Sequence, residues 1–73
     1  MWCYKSPVGL MSIYLDSNYK YALRINDIVY GHYSSPIAAA DDVYTHTTGC
    51  DEWDLLDGTF MNAPTDIYEW HKR

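Results

Sequence analysis

Three histidines, two cysteines and two pairs of adjacent carboxylates are the side chains of this 73-residue chain from which chemistry could be built. His46 and Cys50 stand one helical turn apart, close enough for a thiol–imidazole pair. A working nucleophile also needs a third group to orient the base, and the sequence supplies none nearby. With Cys3 and His71 they make the four ligands that zinc would require, but the Cys-x-x-Cys spacing typical of such sites is missing. Asp41-Asp42 and Asp51-Glu52 are neighbours in sequence and are expected on the surface. Acid–base work needs carboxylates held in a cleft with their pKa values pushed apart. There is no glycine-rich phosphate loop. The residues therefore point to no catalytic set, no metal site and no cofactor, and the expected class is binding without catalysis.

Charge narrows the partner. Residues 1–36 carry Lys5, Lys20 and Arg24 against Asp16 and Asp27. Residues 37–70 carry eight carboxylates and no Lys or Arg, and Lys72 and Arg73 close the chain at a net charge of −5. So acidic a second half disfavours a broad phosphate-binding surface. It suits solubility or a basic protein partner. No apolar run approaches the ~18 residues of a membrane span. The start of the chain lacks a basic stretch followed by an apolar one, so no leader is expected. Cys3 and Cys50 are then read as free thiols in a cytoplasmic setting.

Those side chains need elements to hold them. Ser35, Pro36, three alanines at 38–40 and Gly49 predict a helix over residues 35–49, with Ser35 as cap and Pro36 at the first helical position. Ile37, Ala40, Val43, Tyr44 and Thr47 form its apolar stripe, and Asp41, Asp42, Thr45 and His46 face away. His46 in the last turn would favour the helix dipole as a cation. Period-two alternation predicts strands over 10–15, 19–25 and 28–33, the last two joined by Asn26-Asp27 as a two-residue hairpin. That loop sets Leu23 opposite Tyr30, Tyr21 opposite His32 and Lys20 opposite Tyr33. His32 then falls on the apolar face as a core histidine.

The expected fold class is α+β: a three-stranded antiparallel meander with one helix packed on one face and a C-terminal segment returning to the core, as one small domain over residues 1–73. Residues 2–4 read as a short edge strand or an arm packed on the core. Trp53, Leu55 and Leu56 would close the open edge of the core, residues 59–63 form a loop, and Thr65 caps a short helical turn before Trp70. Two surfaces remain for a partner. One is the reverse face of the sheet, with Tyr14, Lys20, Arg24 and Tyr33, types favoured in interface hot spots. The other is the acidic back of the helix, with Asp41, Asp42, Asp51 and Glu52. Protein is the expected partner, nucleic acid the alternative, and the oligomeric state stays open.

Two resemblances accompany this layout. Tyr33-Ser34-Ser35-Pro36, Ala39-Ala40, Val43-Tyr44, Thr48-Gly49, Trp53-Asp54, Pro64 and Trp70 resemble small uncharacterised bacterial and phage-type domains, over roughly the second half of the chain. The resemblance implies no activity, though a short acidic, tyrosine-rich chain suits a phage or mobile-element accessory factor. The order of sheet then helix is also similar to ethylene-response and integrase-type DNA-binding domains. Those read DNA with arginines on the sheet face, where this chain offers Lys20 and Arg24 with Tyr14 and Tyr33.

Overall fold

The computed structural model describes residues 1–59 and 63–73. Its elements run β1 (Trp2–Ser6), β2 (Gly9–Leu15), β3 (Tyr21–Ile25), β4 (Ile28–Tyr33), α1 (Pro36–Tyr44), α2 (Asp51–Asp54), a 3-10 turn (Ile67–Glu69) and β5 (His71–Lys72). The described strands form one antiparallel sheet in the order β4-β3-β2-β1-β5. The class is α+β, but the sheet has five strands where three were expected. The meander of β2, β3 and β4 is present. The first strand is not an edge, because β5 returns beside it, with Trp2 opposite Lys72 and Cys3 opposite His71.

Turn chemistry accounts for the hairpins. Pro7 and Val8 join β1 to β2, and Gly9 follows at φ +126°, a conformation closed to most side chains. A Cβ there would also sit 3.0 Å from the Asn26 side chain. Asn26 and Asp27 occupy the β3–β4 loop at φ +52° and +71°, as a two-residue turn requires. The β2–β3 loop runs longer than its sequence suggested. The Asp16 carboxylate accepts from the N–H groups of Asn18 and Lys20 at 2.8 and 3.1 Å, Tyr19 turns left-handed at φ +59°, and β3 starts only at Tyr21. Lys20 is therefore in a loop and not on a strand.

A β-bulge overturns half of the expected register. Ile25 faces Ile28 and Arg24 faces Val29, as the two-residue loop dictates. The register then shifts between Leu23 and Arg24, so that Tyr30 is the extra residue. Leu23 faces Gly31, Ala22 faces His32 and Tyr21 faces Tyr33. A one-residue slip moves side chains to the other side of a sheet. His32 is accordingly an exposed residue of the reverse face and not a core histidine, and Tyr33 lies on the helix side.

Ser35 caps α1 as expected, accepting the Ala38 N–H at 3.1 Å, with Pro36 in the first turn. The helix stops at Tyr44, well before Gly49. Its buried face is Ala39, Ala40 and Val43, while Ile37 and Tyr44 of the expected stripe are about half exposed. Small residues let α1 approach the sheet closely, over Met11, Ile13, Leu23 and Ile25, all at 0–1% exposure. Trp53, Ile67 and Trp70 complete this core, flanked by half-buried Trp2, Tyr4 and Tyr21. Leu56 packs there too, but Leu55 is 81% exposed and takes no part. The 3-10 turn is capped by Asp66, which accepts from the Tyr68 N–H at 2.9 Å, and not by Thr65. Thr65 instead donates its N–H and hydroxyl to Glu69. The loop expected over residues 59–63 lies largely outside the described residues. No described helix is long and apolar enough to cross a membrane.

Candidate functional site

One face of the sheet packs beneath α1, α2 and the 3-10 turn. The other carries no covering element among the described residues. Register fixes what that open face presents. One row crosses it as His71, Cys3, Ser12, Arg24 and Val29, and a second as Tyr14, Ala22 and His32. Cys3 and Ala22 in the middle are 5% and 1% exposed, so the rim of longer side chains shields a floor of small ones. Two depressions lie on either side of Leu10. One, of about 280 Å3, is bounded by Leu10, Ser12, Arg24, Asn26 and Asp27. The other, of about 260 Å3, is bounded by Cys3, Lys5, Leu10, His71 and Arg73.

The carboxylates of this face are engaged. Asp27 accepts from the Arg24 guanidinium at 3.0 Å. Asp16 lies 2.7 Å from the His32 ring. Partial desolvation would raise the Asp16 pKa, but the N–H groups of Lys20 and Asn18 and the His32 ring outweigh it and hold the carboxyl below its ordinary range.

Of the eight residues singled out from sequence, Tyr14 and Arg24 share the open face. Lys20 sits in the adjoining loop, and Tyr33 is on the opposite side. There its hydroxyl donates to the Asp42 carboxylate at 2.8 Å. Burial pushes the Tyr33 phenol pKa well up, and the Asp42 hydrogen bond and the charges of Asp42 and Asp54 push it further. Asp42 is thus half-buried and occupied, which removes it from the exposed acidic surface. Asp41, Asp51 and Glu52 are exposed. The phenol pKa of Tyr30, the bulge residue, is raised, first by the neighbouring Cys50 thiol, then by desolvation and by the acidic Glu52 and Asp51. Lys5, His32, His71 and Arg73 belong to the open face but escaped the sequence reading. Lys5, His71 and Arg73 gather through the pairing of β1 with β5 and His32 arrives through the bulge in β4, and local alternation reveals neither.

The residues with catalytic potential serve as a structural lock. His46 lies just beyond α1 at φ +57° and is buried, not projecting from a last helical turn. Its N–H donates to the Val43 carbonyl at 3.2 Å and the Thr47 N–H to the Asp42 carbonyl at 3.0 Å, the paired bonds of a Schellman helix end. The His46 ring stacks on Trp53 with centroids 4.3 Å apart, and its Nδ1 donates to the Trp53 carbonyl at 2.8 Å. Trp53 answers from Nε1 to the Val43 carbonyl at 2.9 Å. Asp54 then accepts from the Thr48 N–H, the Thr48 hydroxyl and the Gly49 N–H at 2.9–3.0 Å. Thr48-Gly49 and Trp53-Asp54 are therefore one unit, welding α2 to the end of α1. Cys3 and His71 lie across the sheet from His46 and Cys50, and both thiols are free and buried.

No protein-family model, curated protein or solved structure matches the chain.

Proposed function

We propose that this chain is a non-enzymatic interaction module that binds a protein partner through the open face of its sheet. The uncovered face itself carries the reading: small residues at its centre, two depressions beside Leu10, and Tyr14 and Arg24 at its rim. Tyrosine and arginine supply large contact area and directional donors, the usual anchors of protein interfaces. The exposed acids Asp41, Asp51 and Glu52 lie on the other side, where they favour solubility or a basic second partner. A cytoplasmic setting fits the two free thiols, and the resemblance to phage-type domains fits an accessory role.

Nucleic acid is the second reading, favoured by the presence of Lys5, Arg24 and Arg73 on this same face. The two separate cleanly. A photo-crosslinking residue placed at position 14 is expected to trap a specific protein, and one at position 51 not to trap that protein. The double variant Tyr14→Ala, Arg24→Ala is expected to lose that protein. Recovery of nucleic acid alone, with an affinity that falls steeply as salt rises, would replace this reading by the second one.

A further inference from the structure

We infer that the end of the open face where β1 meets β5 is a carboxylate-binding site, formed by Lys5, His71 and Arg73 around Cys3, which receives an acidic side chain of the protein partner. The inference rests on the reading of this face as protein-binding and names the chemistry of what it takes.

Backbone pairing makes the cluster. Cys3 lies opposite His71, and residues 1 and 73 exchange hydrogen bonds, the Arg73 N–H to the Met1 carbonyl at 2.7 Å and the Met1 ammonium to the Arg73 carbonyl at 3.2 Å. Alternate residues of a strand point the same way, so Cys3 and Lys5 of β1 share a face with His71 and Arg73. Together with Leu10 they bound the depression of about 260 Å3. Of the five described side chains that bound it, three bear nitrogen donors and none is a carboxylate.

The contrast with the rest of the face is informative. Arg24 in the neighbouring depression already holds Asp27, and Asp16 is held by His32 and two backbone N–H groups. Lys5 and Arg73 have no ion-pair partner among the described residues. None of the carboxylates of residues 37–70 lines this depression. A positive patch therefore persists on a chain of net charge −5. Arginine presents a fork that matches a carboxylate, lysine adds a mobile point charge, and Leu10 offers an apolar wall to the methylenes of a glutamate. The volume is below the ~300–1,000 Å3 of a drug-sized ligand pocket and suits a side chain. Among the described residues its only ring is the His71 imidazole, and no Phe, Tyr or Trp lines it for stacking a base, which favours carboxylate over nucleic acid.

The test is an NMR titration of the full chain with an oligoglutamate peptide blocked at both ends, with inorganic phosphate and with single-stranded DNA. The peptide is expected to shift the amides of Cys3, Lys5, Leu10 and His71 saturably and in preference to the other two probes. Lys5→Ala with Arg73→Ala is expected to weaken it about tenfold, which corresponds to about 1.4 kcal/mol, with folding verified from the dispersion of the remaining amides. Asp51→Asn with Glu52→Asn leaves it unchanged. Preference for phosphate or DNA at these amides, no saturable shift, or indifference to the Lys5 and Arg73 changes would each overturn the inference. A trapped protein partner that depends on Tyr14 and Arg24 but not on Lys5 and Arg73 would overturn it while leaving the proposed function standing.

Discussion

A histidine with positive φ is uncommon, and His46 shows what sustains one. A residue with a Cβ in this conformation costs of order 1 kcal/mol relative to glycine. Here the cost is outweighed by a ring stacked on Trp53 and an Nδ1 bond to its carbonyl. His46→Gly therefore relaxes the backbone and still destabilises, by about 1–2 kcal/mol in urea unfolding, reversing the usual gain from glycine at a helix end. Asp54 carries a heavier duty. Asp54→Ala strips three acceptor contacts from Thr48 and Gly49 and is expected to cost about 2–4 kcal/mol by the same measurement. For a chain of this size that is a large share of total stability. Thr-Gly and Trp-Asp stand out in the sequence only as part of a resemblance, which does not show their joint role. The hydrogen bonds that link them run to one side chain five or six residues away, and no periodicity encodes such a bond.

Local signals served well where the cause of the structure is itself local. Ser35 and Pro36 began α1, Asn26-Asp27 closed a hairpin, and alternation placed β2 and most of β3 and β4. They failed where a distant group decided. The bulge at Tyr30 turns Tyr33 toward Asp42, and Gly31 leaves space for the Tyr33 ring, which a Cβ on Gly31 would meet at 3.0 Å. Neither Asp42 nor the ring position enters a two-residue repeat, so His32 and Tyr33 were assigned to each other's faces. Tyr33→Phe is expected to cost about 1 kcal/mol near neutral pH, measured by urea unfolding. The fold favours the neutral phenol. Its contribution is thus complete below the ordinary phenol range near pH 10 and declines as pH rises beyond it. Stability profiles of the parent and the Tyr33→Phe variant should converge with rising pH above that point.

Across the whole molecule, charge is divided by the sheet. The helix side holds the exposed acids, and the open face holds Lys5, Arg24 and Arg73 with its own two carboxylates engaged. This division was half legible: the acidic run over residues 37–70 is plain in the sequence, but the gathering of residues 5, 71 and 73 depends on a pairing between opposite ends of the chain. The same pairing covers β1. Deleting residues 71–73 leaves β1 with a bare row of N–H and C=O groups, an invitation to edge-to-edge association. The truncated chain is expected to melt at lower temperature and to elute from size exclusion as concentration-dependent oligomers.

Hairpins from Trp2 to Tyr33 close over short loops, whereas the bonds between Met1 and Arg73 span 72 positions. Bringing such remote segments together carries the greatest loss of chain freedom of any contact in the sheet. Residues 71–73 must leave the ribosome before β5 can dock on β1, so this pairing forms later in synthesis than the hairpins can. The basic cluster therefore does not exist on a nascent chain that has emerged only as far as Tyr33, and such a chain cannot offer it to a partner.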